Sequence, residues 1–297
     1  MGIDKGERKW GICTLWTSME FSATAAESSS LSAVKAAKVM VADLFVGCRF
    51  DFCRIGLLIR CTLILTWQVR PVVETGYENL LLVRLLLETR LPSIRKSLVS
   101  DGLTVEGILD NWSNLKPIIM EEWGEQRQEL IDLFGKVRDE WMEEDLVSWI
   151  GANRLYPGVA DALKFASSSV YIVTTKQSRF ADALLRELAG VTIPLKGYMV
   201  LELGKKKNFC VTFKTAFSPK VEVLKQLQSR PEHQGLRLHF VEDRLVTLKN
   251  VIKEPELAGW NLYLGCWGYN TEKERKEAAG IPRIQLIELS DFSQKLK

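Results

Sequence analysis

Three clusters of polar residues directly follow, or open, apolar segments in the second half of the chain, and their types suit phosphate and metal chemistry. Val170-Tyr-Ile-Val173 runs into Thr174-Thr175-Lys176, where a hydroxyl and backbone amides could hold a phosphate oxygen. Leu238-His-Phe-Val241 runs into Glu242-Asp243, two adjacent acids suited to a hard cation such as magnesium, which takes a few carboxylates and keeps waters. Lys220 follows Ser218-Pro219 and could neutralise phosphate charge. Each cluster also has an ordinary reading: a threonine closing a strand, an N-cap by Asp243, and a lysine pointing into water.

What must position these residues is an alternation of short apolar runs and amphipathic helices. The runs are Val170 to Val173, Leu238 to Val241, Leu262 to Gly265 and Ile284 to Ile287. The helices expected between them are Phe180 to Leu188, Pro219 to Leu227, Leu245 to Ile252 and Thr271 to Ala279. Ser218-Pro219 is a helix start with proline in the first turn, and Thr271 with Glu274 has capping-box spacing, closed by Gly280. Such alternation implies an α/β fold, a doubly wound parallel sheet covered on both faces, with ligands beyond the carboxyl ends of the strands. Residues 72 to 150 read instead as all-helical. Thr75 and Glu78 have capping-box spacing before the run Leu80 to Leu87, Pro92 stops that helix, and Leu130, Phe134, Val137 and Trp141 recur at helical spacing, which core packing explains.

Composition narrows the classes. The chain has 297 residues, 46% of them hydrophobic, enough for a substantial core and a soluble globular fold. A net charge of +3 from interspersed acids and bases gives no basic face for nucleic acid. The most apolar stretch, Ile55 to Trp67, is thirteen residues long and carries Arg60, too short and too polar to span a bilayer. Six cysteines form no CxxC pair and none has a histidine at zinc-site spacing, so a reduced, cytoplasmic compartment is expected. His233 and His239 fit solvated or structural roles rather than ligation.

Taken in order, Tyr156-Pro-Gly-Val159, Val173-Thr-Thr-Lys176, Ser218-Pro-Lys220 and Phe240-Val-Glu-Asp243 resemble the haloacid dehalogenase (HAD)-like hydrolase superfamily. The closing run Leu262-Tyr-Leu-Gly-Cys-Trp-Gly-Tyr-Asn270 looks like its G-x-W-G-Y strand and loop. The likeness is greatest to the phosphoglycolate-phosphatase-like branch, whose helical cap is inserted early in the chain. It implies three parts: a degraded first core strand at 1–27, a cap at 28–151 with an anomalous stretch at 48–67, and an α/β core at 152–297. It also implies a magnesium-dependent phosphatase acting on a small phosphorylated metabolite, with Thr174 and Thr175 on the phosphoryl group, Lys220 as the stabilising lysine, and Asp243 with Glu242 at the metal. A second acid beyond Asp243, frequent in the family, is absent from Val246 to Asn250.

The family's first strand ends in Asp-x-Asp-Gly-Val or a close variant; the first aspartate attacks phosphorus and the second is general acid and base. Here Trp10 to Phe21 holds no aspartate, and Asp4 is the only one before position 43. The neighbouring reading frame restores the motif. The codon formed from Trp16 and Thr17 (TGG, ACN) is necessarily GAC, aspartate, and that from Met19 and Glu20 is necessarily GGA, glycine. The codon from Ser18 and Met19 is NAT, which is aspartate when the serine codon is TCG. The same operation on Ile55 to Cys61 permits a more ordinary helix, Trp-Ile-Val-Asp-Gln-Met, and Lys205-Lys-Lys-Asn-Phe-Cys210 interrupts the loop expected before Ser218. The sequence thus reads as a phosphatase without its nucleophile, through a frameshifted or mis-spliced gene or a decayed copy; the competing account is a genuinely divergent N-terminus. The competing classes are a non-catalytic protein that keeps the fold for binding, and a dehalogenase, against which Glu242-Asp243 argues.

Overall fold

Parallel strands carry β-branched and aromatic runs that are buried on both faces; the runs at Val170, Leu238 and Leu262 take that form, while Ile284–Ile287 is buried only at its two ends. The computed structural model describes residues 12–16, 32, 64–66, 68–166, 169–174, 176–191, 209–213 and 220–296. Six strands, β1 (Ile12–Trp16), β2 (Ser169–Thr174), β3 (Phe209–Phe213), β4 (Leu238–Glu242), β5 (Trp260–Gly265) and β6 (Ile284–Ile287), form one parallel sheet in the order β3-β2-β1-β4-β5-β6. The chain divides into two units, residues 1–19 with 155–297, and residues 20–154.

In the sheet unit the period of two sends alternate residues to opposite faces. Tyr171 and Val173 of β2 and Leu238 and Phe240 of β4 join one core with α7 (Lys220–Gln228), α8 (Leu245–Ile252) and α9 (Glu272–Ala279), through Leu224, Leu248, Val251 and Ala278. Val170, Ile172 and Val241, facing the other way, are buried as well. α5 (Val159–Lys164) packs against the π-helical extension Leu185–Ala189 of α6 (Ser178–Leu184) and against α10 (Leu289–Leu296). The Thr271–Glu274 capping box forms in both directions. Gly280 closes α9 without using left-handed backbone, at φ −82°, its N–H bonded back to Glu277.

One strand corrects the expectation, and another lies within residues 1–27, where a first core strand was expected. Phe209–Phe213 pairs with β2 in the register Val170↔Phe209, so the region read as an interruption supplies an edge strand. Phe-Cys-Val-Thr-Phe has the aromatic and β-branched content of a strand, obscured in sequence by the three lysines before it. Ile12–Trp16 occupies the middle of the sheet, paired to β2 (Cys13↔Val170, Trp16↔Val173) and β4 (Ile12↔Leu238, Leu15↔Val241).

The helical unit is built on α1 (Glu78–Arg90), α2 (Val105–Trp123), α3 (Arg127–Glu144) and α4 (Leu146–Gly151). Residues 78 to 88 of α1 are all buried, so α1 is its central helix, and Leu130, Phe134, Val137 and Trp141 bury the stripe of α3. The Thr75–Glu78 box is not an N-cap: α1 begins after Tyr77 with no side-chain cap, and Glu78 instead accepts from the Glu74 N–H and the Thr75 hydroxyl. Burial of its carboxylate beneath α2 draws it to donors there, Trp112 and Lys116. Of the stretch 48–67, only residues 64–66 are described; the rest, like Ser218, Pro219 and Thr175, lies outside the described residues.

Candidate functional site

Because every strand runs the same way, the carboxyl ends of β1, β2 and β4 lie along one edge. β1 sits between the other two, so its end at Trp16 is flanked by Thr174 on one side and by Glu242-Asp243 on the other. Thr174 and Glu242, two strands apart, are separated by about 10 Å at the backbone. Thr174 is buried, and its Oγ1 accepts the Lys176 N–H at 3.1 Å, a turn that orients the hydroxyl at the strand end.

Lys220, the first residue of α7, is 8% exposed and does not point into water. Its Nζ lies 3.5 Å from both carboxylate oxygens of Glu242 and 3.4 Å from Thr247 Oγ1. Glu242 also accepts the Arg244 N–H at 3.1 Å. Burial raises the Glu242 carboxyl well above its ordinary value, Lys220 pulls it down, and the adjacent Asp243 pushes it up again; the net direction is up. This cluster therefore favours an added positive charge or a proton at Glu242.

Asp243 is held by the loop that follows β5. Its Oδ2 accepts the Tyr269 N–H at 3.1 Å, and its carbonyl accepts Asn270 Nδ2 at 2.9 Å. Asp243 does not cap the helix that follows, because α8 is preceded by Arg244 and has no side-chain cap. Gly268 lies so close that a Cβ there would meet Asp243 Cβ at 2.2 Å.

The structure thus brings Lys220, Glu242 and Asp243 together and sets Thr174 across β1 from them; Thr175 lies outside the described residues. Thr247, Gly268 and Asn270 were not expected at the site. The loop run Leu262 to Asn270 drew attention as a motif, but nothing in its spacing says that it folds onto Asp243. Both histidines are buried: His233 bonds Tyr171 Oη at 2.7 Å and the Leu227 carbonyl at 2.6 Å, and His239 lies 3.2 Å from Tyr263 Oη, which fits the structural reading. Among the described residues no group of three or more His, Cys, Asp or Glu is placed to hold a metal, and no helix is long and apolar enough to cross a membrane. No family model, curated protein or solved structure matches the chain.

Proposed function

We propose that this chain is a HAD-type phosphatase core, with its helical unit as cap, whose central strand lacks the nucleophile, so that it binds a small phosphorylated metabolite with magnesium but does not turn it over. The observation that carries the reading is the position of β1. It is the central strand, its end lies between Thr174 and Glu242-Asp243, and Trp16-Thr17-Ser18 offers no carboxylate there. The aspartate forced by the neighbouring frame straddles Trp16 and Thr17, immediately past that strand end.

The donor set fits magnesium of the kind held by one or two carboxylates, with phosphate and waters completing the shell. Asp243 would be its first ligand, already oriented by the Tyr269 N–H, and Glu242 the second where it releases Lys220. Bound there, magnesium would offset charge on the phosphoryl group. Thr174 would donate its hydroxyl hydrogen to a phosphate oxygen, and Lys220 would balance the charge of that group against Glu242. With no carboxylate to attack phosphorus, water attacks unaided, and loss of a nucleophile costs several orders of magnitude in rate.

The test compares the chain as written with one in which residues 12–27 and 48–67 carry the neighbouring-frame peptides. The unaltered chain should bind phosphate in the presence of magnesium and leave simple phosphomonoesters intact. The repaired chain should hydrolyse them with magnesium dependence and lose that activity on Asp243→Ala. A folded repaired protein that stays inert across a broad phosphomonoester panel would remove the phosphatase reading and favour a purely binding protein.

A further inference from the structure

We propose that the loop joining β5 to α9 is a positioning device for the Asp243 carboxylate, with Gly268 and Asn270 as its working residues; this rests on Asp243 being the cation ligand. Three contacts fall on one residue. The Tyr269 N–H takes Asp243 Oδ2 at 3.1 Å, the Asn270 amide takes the Asp243 carbonyl at 2.9 Å, and the bare Cα of Gly268 lets Asp243 Cβ approach where any side chain would collide. The same Asn270 Nδ2 donates to the Gly265 carbonyl at 2.9 Å, so one amide ties the ends of β4 and β5 together.

The loop is itself anchored, so it imposes a geometry on Asp243 rather than following it. Arg275 Nη1 donates to both Asn270 Oδ1 and the Asn270 carbonyl at 2.9 Å, which fixes which way the amide points. Tyr156 Oη donates to the Trp267 carbonyl at 3.0 Å, and the Cys266 N–H bonds the Ile287 carbonyl at 3.0 Å. The Trp267 ring rests on Phe292 of α10, with ring centroids 5.5 Å apart. A carboxylate with one oxygen already held by an N–H keeps the other in a set direction, and outer groups of this kind commonly change metal affinity about 10- to 100-fold. Gly268, Tyr269 and Asn270 are therefore positioning residues, acting on a cation only through Asp243.

The experiment titrates the full-length chain with Mn2+ alone, following bound metal by electron paramagnetic resonance and water-proton relaxation, with thermal unfolding recorded in parallel. Asn270→Ala and Gly268→Ala should each weaken Mn2+ binding by about 10-fold or more, and Arg275→Ala by less. Leu257→Ala, a cavity in the core before the start of β5 and outside the loop, should lower the unfolding temperature and leave the affinity of the folded protein unchanged. If Gly268→Ala does not fold, Asn270→Ala decides. Equal affinity in the unaltered chain and Asn270→Ala would overturn the positioning role while leaving the cation site standing. Absence of Mn2+ binding by the unaltered chain would overturn both together, and an equal loss on Leu257→Ala would reduce the loop to general scaffolding.

Discussion

Glu78 in the helical unit and Glu242 at the sheet's carboxyl edge are each 1% exposed, yet their surroundings differ in kind. Glu78 receives four donors: the Glu74 N–H at 2.8 Å, Lys116 Nζ at 2.9 Å, the Thr75 hydroxyl at 3.2 Å and Trp112 Nε1 at 3.3 Å. Those donors come from the turn before α1 and from α2, so one carboxylate fastens three segments. Burial alone would lower Lys116, but the charge and hydrogen bond of Glu78, with Tyr77 and Glu74, together outweigh it and its ammonium is held above the usual lysine value. Glu242 receives one good backbone bond, from Arg244, and a lysine at the outer limit of hydrogen-bond distance. A buried acid with its donors supplied at close range is spoken for by the fold. One held at long range, beside a second acid and next to a strand end, has capacity left for a charged ligand.

The contrast makes Glu78→Ala the most costly of these changes. It leaves an ammonium, an indole N–H and a backbone N–H without their acceptor, and breaking a buried pair from one side costs about 3 kcal/mol. Denaturant unfolding should show that loss, while Mn2+ affinity in the sheet unit stays unchanged. Lys220→Met should cost less, on the order of 1–3 kcal/mol, because it removes the lysine from the buried Glu242 carboxyl. That loss should shrink at pH 5, where a proton can replace the lysine. It should also abolish the proposed magnesium-assisted phosphate binding, measured calorimetrically.

The pH dependence separates two buried groups of opposite slope. Glu242 has a folded value raised above the ordinary 4.5, so the folded state binds its proton more tightly than the unfolded chain does. Its contribution is fully present below 4.5 and is lost as pH rises through the raised folded value. Glu242→Gln should flatten that decline in unfolding midpoints measured from pH 4.5 upward. His239 is pushed down to about 4 by burial and by the charges of Arg237 and Lys295, from an ordinary 6.5. Its contribution is present above 6.5 and lost as pH falls towards 4, and its magnitude is on the order of 1–2 kcal/mol. His239→Phe should remove the acid-side loss alone. The smallest effect belongs to Lys249 and Glu277, a surface pair 37% and 52% exposed; Glu277→Gln should change stability by less than about 0.5 kcal/mol.

Much of the sheet unit was legible because its signals are local. The runs at Val170, Leu238, Leu262 and Ile284 became β2, β4, β5 and β6, and Leu245–Ile252 begins and ends as read, since apolar period acts within a few positions. Thr174, Lys220, Glu242 and Asp243 were legible for the same reason: each adjoins a strand or helix end. β3 was missed because an edge strand of five residues is defined by the partner it finds, Val170 to Thr174, more than by its own pattern. Thr75–Glu78 was misread because spacing alone cannot tell a capping box from an acid drawn elsewhere by buried donors.

The sequence by itself determined the alternation of strand and helix, the helical character of residues 72–150, the acids and lysine at the element ends, and the lack of an aspartate at Trp16 to Met19. Only the tertiary structure decided that Ile12–Trp16 is the central strand, that Lys220 turns to Glu242, and that Gly268 to Asn270 close on Asp243. The division has a physical reason. Propensity and capping are interactions between residues a few positions apart, whereas strand order and the packing of a loop against an acid 26 residues away depend on contacts that exist only once the sheet has assembled.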